Sequence, residues 1–207
     1  MSSAVLYMSM SLDGYIAGPN DGLDNPGGDD FGRLHDWLGS GNSSTGQGHE
    51  GFRPAGEQSA IVFEEMMSTG AVVVGRRTIE QAGYWGGEHH GGVPIFVPTH
   101  QPPLKDPPGQ VRFVTDGIES CVAQAKAVAG DRNVLVHGAV TAQECLRAGV
   151  LDELQIHLIP FLQGRGRRLF DTLPEEVELE IVRVIDTPEA THLRYRVRRR
   201  PDSKEPE

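Results

Sequence analysis

Residues 71–80 read Ala71-Val72-Val73-Val74-Gly75-Arg76-Arg77-Thr78-Ile79-Glu80. A β-branched run ends in a glycine, and two arginines and a threonine open a predicted helix. This is the composition of an anion site, because free N–H groups and the helix dipole face whatever lies beyond the turn. Gly75 lets the backbone turn tightly and approach a ligand. Arg76 and Arg77 add forked, charge-assisted donors that match a phosphate. The pattern recurs at Val134-Leu135-Val136-His137-Gly138-Ala139-Val140-Thr141, where a second strand ends in a glycine at a helix start. In an open α/β sheet ligands sit at the carboxyl ends of the strands. Two such turns can therefore hold the two ends of one elongated, phosphate-bearing cofactor. The plainer reading of each is a tight strand–helix turn with solvated side chains. Neither turn is the G-x-G-x-x-G fingerprint, so a Rossmann domain is not indicated.

Other chemistry-bearing residues admit two readings each. Asp13, at a strand end before Gly14, is either a substrate contact or the first residue of a D-G turn. His35-Asp36-Trp37 either closes over a pocket or forms a surface helix with one buried aromatic edge. Glu88-His89-His90 has metal-ligand residue types but no second ligand cluster at matching spacing, which favours a solvated loop and no metal site. Gly164-Arg165-Gly166-Arg167-Arg168 is either a phosphate contact or a basic turn. Arg194, Arg196 and Arg198 alternate with Tyr195 and Val197, as on the solvated face of a strand.

The elements that must position these residues alternate along the chain. Strands are expected at Ala4–Met10, Ala71–Val74, Val93–Val97, Val111–Thr115 and Asn133–His137. A half-buried strand is expected where Leu154, Ile156 and Leu158 alternate with Gln155 and His157. Val177–Ile185 and His192–Arg199 form a hairpin around Thr187-Pro188-Glu189. Helices are expected near Phe31–Leu38, at Ser59–Thr69, from Arg76, at Ile118–Ala129, and from a capping box at Thr141–Glu144 to a stop at Gly149. The stretch Gly39–Gly56 is rich in Gly and Ser and reads as a mobile loop within an insertion spanning about 23–58. The whole is one α/β domain with a mixed, mainly parallel sheet. At 207 residues it is long enough to bury a full core. The net charge of −10 disfavours nucleic acid and anionic membranes as partners but leaves an anionic small molecule open. Cys121 and Cys145 form no C-x-x-C pair and read as reduced core thiols. No apolar run is long enough to span a bilayer, and a cytoplasmic protein is expected.

Five segments in order carry a family resemblance. They are Met10-Ser11-Leu12-Asp13-Gly14-Tyr15-Ile16-Ala17-Gly18; Val74–Glu80; Val136-His137-Gly138-Ala139; Leu146-Arg147-Ala148-Gly149-Val150-Leu151-Asp152-Glu153-Leu154; and Pro160-Phe161-Leu162-Gln163-Gly164-Arg165-Gly166-Arg167-Arg168-Leu169-Phe170. Together they resemble the dihydrofolate-reductase-like family, and more closely the reductase domain of the bifunctional riboflavin-biosynthesis deaminase–reductases. The resemblance implies a three-layer α/β fold with a C-terminal antiparallel hairpin, and an NADPH-dependent reductase acting on a pterin-like or aminopyrimidine heterocycle. It implies that Gly75, Arg76, Arg77 and Thr78 face the adenosine 2′-phosphate, and that Val97 and Thr99 flank the adenine. Gly138, Ala139, Val140 and Thr141 would hold the pyrophosphate, while Ser9 and Ile16 would border the nicotinamide. Asp13 is the candidate catalytic residue, and a homodimer built on Leu154–Leu158 and Val177–Val184 is expected. Two departures stand out. His137-Gly138 replaces a glycine pair that can adopt a cis peptide, and the insertion covers the region where dihydrofolate reductase carries its substrate carboxylate. No H-x-E with a P-C-x-x-C partner occurs in these residues, so zinc deaminase chemistry is not expected of them. The competing expectation is a non-catalytic nucleotide- or ligand-binding protein on the same fold.

Overall fold

The computed structural model describes residues 2–39, 53–101, 104–171, 173 and 176–198. Apolar, β-branched runs form the strands β1 (Ala4–Ser11), β3 (Ala71–Val74), β4 (Ile95–Pro98), β5 (Val111–Val114), β6 (Val134–His137) and β7 (Glu153–Ile159). They associate in parallel, and β9 (Leu179–Asp186) and β10 (Thr191–Val197) complete the sheet antiparallel, in the order β5-β4-β3-β6-β1-β7-β10-β9. A two-residue strand β8 (Arg167–Arg168) pairs with β2 (Tyr15–Ala17) as a separate ribbon. The helices are α1 (Glu57–Met67), α2 (Arg76–Gln81), α3 (Ile118–Ala129) and α4 (Ala139–Arg147), with a 3₁₀ segment at Phe31–Leu38.

The alternation of side chains along β1 splits the core between the two faces of the sheet. Ala4, Leu6 and Met8 pack with Val73, Val136, Val122, Ala125 and Cys145 beneath α3 and α4. Val5 and Tyr7 pack with Val72, Val74, Ile79, Ile95 and Leu135 on the other face. Leu34, Trp37 and Leu38 form a third cluster with Ile159 and Ala190. Cys121 and Cys145 are free and buried, and burial pushes both thiols up to about 12. Among the described residues no helix is long and apolar enough to cross a membrane.

Three sequence expectations are corrected here. Gln155 and His157 on β7 are buried rather than solvated. The Phe31–Leu38 segment and α1 cover that face, and the polar side chains pair among themselves beneath it. Arg194, expected on a solvated face, lies mostly covered, with ion pairs to Glu65 of α1 and Glu153 of β7. The last helix starts two residues before the expected capping box. Gly138 is its N-cap, at φ 96°, and Thr141 sits inside the first turn. Residues 40–52 of the Gly/Ser-rich loop and the strand end at Arg199 lie outside the described residues.

Candidate functional site

From β3 the chain moves outward through α2 to β4, whereas from β6 it passes through α4 in the opposite direction, across β1 to β7. β3 and β6 are neighbours, paired Val72↔Leu135 and Val74↔His137. The crossovers therefore diverge between these two strands. Such a switch point opens a crevice at the carboxyl ends of the sheet.

The crevice is a cleft of about 500 Å³. Gly75, Arg76, Arg77, Thr78, Thr99, Gly138, Ala139, Val140 and Thr141 all line it. The two glycine turns face each other. A Cβ at Gly75 would lie 2.9 Å from Thr141 Oγ1, and a Cβ at Gly138 would lie 3.3 Å from Thr78 Oγ1. Each glycine thus leaves room for the threonine hydroxyl of the opposite turn. Gly138 also needs its positive φ, which costs an L-residue roughly 1–2 kcal/mol. The peptide bonds of the described residues are all trans, His137–Gly138 included.

Pro98, His100, Gly117, Ile118 and Glu144 line the same cleft and escaped the sequence reading, and Arg167, one of the basic run offered as a phosphate contact or a turn, lines it too. Gly117 was legible in principle. Val111–Gly117 is a third strand that runs into a glycine before a helix, and α3 begins at Ile118. Neither Gly117 nor Gly138 supplies a side-chain cap to the helix it opens, and the Gly138 N–H itself lies 3.4 Å from Met8 Sδ. Nothing local tied Arg167 to this cleft, because the strand that carries it is placed by the pairing of β8 with β2.

The two arginines part company. Arg76 Nε donates to Glu80 at 2.7 Å, its Nη1 reaches the Gln101 carbonyl at 3.3 Å, and its guanidinium lies 6.0 Å from the Phe113 ring. Arg77 instead donates to Asp21, at 3.1 Å from Nη2 and 3.3 Å from Nε. One cation faces the β4–β5 side of the cleft and the other faces the loop after β2.

The remaining predicted residues lie elsewhere. Val97 is buried in the core, below Thr99. Ser9 and Ile16 are buried as well, and Ser9 Oγ accepts a hydrogen bond from Trp37 Nε1 at 2.9 Å. Asp13 is fully engaged. Its carboxylate accepts from the Gln163 and Gly164 N–H groups at 2.9 and 2.7 Å and from Ser11 Oγ at 2.7 Å. Those donors, Gln163 N–H first, hold it down at about 2. A carboxyl held ionised in this way fastens the turn to the 163–168 segment and has no proton to give near neutral pH. His89 and His90 are buried, not solvated: their Nδ1 atoms lie 2.6 Å apart, and His90 Nε2 lies 3.1 Å from Thr69 Oγ1. Among the described residues no three His, Cys, Asp or Glu side chains are grouped so as to hold a metal. Trp37 is 1% exposed and stacks on His157, with ring centroids 4.2 Å apart.

The sequence profile of the RibD C-terminal domain matches residues 3–193. The chain belongs to the RibD C-terminal domain family. It is 25% identical over 199 residues to the uncharacterized protein YwjB of Bacillus subtilis, covering 92% of this chain and 95% of that one. Among solved structures it resembles a putative riboflavin biosynthesis protein of Shewanella sp. PV-4, with TM-score 0.69, 24% identity, and coverage of 96% and 100% of the two chains. It also resembles an Enterococcus faecalis dihydrofolate reductase complexed with NADP(H), with TM-score 0.53, 15% identity, and coverage of 95% and 96%. At those identities the likeness shows the dihydrofolate-reductase-like fold, which the mixed sheet and its terminal antiparallel pair display. Membership of the RibD C-terminal domain family supports a reductase-type function.

Proposed function

We propose that this RibD C-terminal domain protein is an NADPH-dependent reductase of a planar heterocycle, pterin-like or aminopyrimidine. The observation that carries the reading is the facing pair of glycine turns at the β3/β6 switch point. There, two threonine hydroxyls and the uncapped starts of α3 and α4 meet in one cleft with Arg76 and Arg77. That donor set fits a dinucleotide: backbone N–H groups and hydroxyls suit a pyrophosphate, and guanidinium forks suit an additional phosphate. Arg76, beside Thr99 and His100, is the residue assigned to the adenosine 2′-phosphate. Gly138, Ala139, Val140 and Thr141 are assigned to the pyrophosphate. When bound, the reduced nicotinamide supplies the hydride, and the protein's own task is to orient the partners and keep water out. Asp13 positions the 163–168 segment and does not act as an acid.

The test is direct. NADPH should raise the melting temperature more than NADH does, and Arg76→Ala should remove the difference. NADPH oxidation is then followed over a panel of dihydrofolate and aminopyrimidine compounds. Tight NADPH binding with no oxidation across the panel would favour a non-catalytic binding protein. The reading extends to a homodimer built on the open edge strand β9, where Leu179, Ile181, Val182 and Val184 are exposed. Light scattering should give twice the monomer mass, and Ile181→Asp should return it to the monomer value.

A further inference from the structure

A second cleft, of about 480 Å³, adjoins the first on its Arg77 side and is lined by Gly18, Asn20, Asp21, Arg168 and Asp171 among others. Arg77 and Arg167 line both clefts. Between these two cations stands Asp21. Its Oδ2 accepts from Arg77 Nη2 and Nε and lies 3.5 Å from Arg167 Nε. Its main-chain oxygen accepts from Arg77 Nη2 at 2.6 Å. The Asp21 side chain is only 10% exposed.

We propose that Asp21 is an internal stand-in for a ligand phosphate, which enters between Arg77 and Arg167 and displaces it. Three observations point the same way. First, one carboxylate serves two guanidinium groups, those of Arg77 and Arg167, at the junction of the clefts. A phosphate brings more charge and a third oxygen to the same two forks. Second, Arg167 Nε is a buried donor that makes no hydrogen bond. At 3.5 Å it feels the Asp21 charge without a formed bond, whereas a phosphate oxygen seated between the arginines gives it an acceptor. Third, the loop carrying Asp21 holds its own shape. Gly18 N–H bonds Gly27 O, Asp29 N–H bonds Pro19 O, and Gly22 and Asn25 bond reciprocally. Asp21 Oδ1 adds an internal bond from the Gly27 N–H at 3.2 Å. The bonds that tie the loop to α2 run through Asp21, so the loop can let go of α2 without unfolding.

The identity of the anion rests on the coenzyme reading above; the displacement of Asp21 does not. The decisive variant is Asp21→Asn, which keeps the shape and an acceptor for the Gly27 N–H while removing the competing charge. Inorganic pyrophosphate and NADPH are titrated by calorimetry against the intact protein and against this variant. Asp21→Asn should bind pyrophosphate about three- to five-fold more tightly at low salt, the size expected for release of a partly exposed ion pair. Adding Arg77→Ala to Asp21→Asn should abolish the gain. In the unmodified protein, pyrophosphate should shift the carboxyl-carbon NMR signal of Asp21 as Arg77 leaves it, a readout that needs no variant to fold, while the Gly27 amide, bonded within the loop, keeps its exchange rate. Equal or weaker pyrophosphate binding by Asp21→Asn overturns the proposal and makes Asp21 a residue that merely positions the arginines. An Asp21 carboxyl signal that pyrophosphate leaves unmoved overturns it as well. If NADPH binds neither protein while pyrophosphate still prefers Asp21→Asn, the coenzyme reading falls and the role of Asp21 stands. If NADPH binds both equally and pyrophosphate shows no preference, the reverse holds.

Discussion

Two polar regions of this molecule have opposite physics. The cleft at the ends of β3 and β6 gathers glycines, hydroxyls and exposed cations, with Glu80 and Asp21 as the partners of Arg76 and Arg77. On the far side of β1, a second polar group lies sealed under Trp37 and α1. His157 Nδ1 and His192 Nδ1 are 2.9 Å apart, and His192 Nε2 is 3.3 Å from Ser59 Oγ. His157 is 2% exposed, and its Nε2 has no hydrogen-bond partner. Unsealed donors at a switch point are available to a ligand, whereas sealed imidazoles are committed to one another. The first region should therefore govern binding and the second stability.

Experiments can sharpen that contrast, beginning with the largest effect. Trp37→Ala removes a buried indole from the third core cluster and should cost about 3–5 kcal/mol in a denaturant titration. A loss under 1 kcal/mol would mean that the histidine layer is not sealed by Trp37. Next comes acid. Burial, and then the Arg183 charge, push His192 down to about 4. Burial, and then His192, push His157 well below 6.5. Both imidazoles are neutral when folded, while in the unfolded chain they take up protons below about 6.5. Stability is thus whole above pH 6.5 and should fall by on the order of 3 kcal/mol through His192 as pH drops from 6.5 toward 4, with His157 adding in the same direction. Replacing His192 with Phe should flatten that slope, which urea midpoints across the range would reveal.

The cleft should respond differently. Arg76→Ala should weaken NADPH binding about ten-fold or more, leave NADH binding unchanged, and shift the melting temperature little. A large stability loss from Arg76→Ala would erase the distinction between the two regions. The smallest effect belongs to neither. Arg196, exposed and 3.7 Å from Glu180, should change stability by less than about 0.5 kcal/mol when replaced by Ala, with ligand binding untouched.

The contrast also explains what was legible in the sequence. Strand-glycine-helix turns are local, so Ala71–Val74, Gly75, the strand ending at His137 and Gly138 could be read without a structure. The helix Ile118–Ala129 was located to the residue by its composition and period. Long-range pairing was not legible. Gln155 and His157 look solvated because alternation reports polarity and not cover, and their cover comes from a helix almost a hundred residues earlier. Arg77 and Asp21 are paired across 56 positions, and nothing local to either announces the other. At Asp13 the sequence left a substrate contact and a D-G turn equally open. Its role as a fastener depends on the N–H groups of Gln163 and Gly164, 150 residues away or more.

The central claim is that the paired glycine turns form a coenzyme cradle that reads the 2′-phosphate. Titrating NADPH and NADH calorimetrically against the intact protein and Arg76→Ala tests it most directly. The account predicts tighter binding of NADPH than NADH, with the preference gone in Arg76→Ala. Equal affinities for the two coenzymes in the intact protein, or a preference that survives in Arg76→Ala, would contradict it.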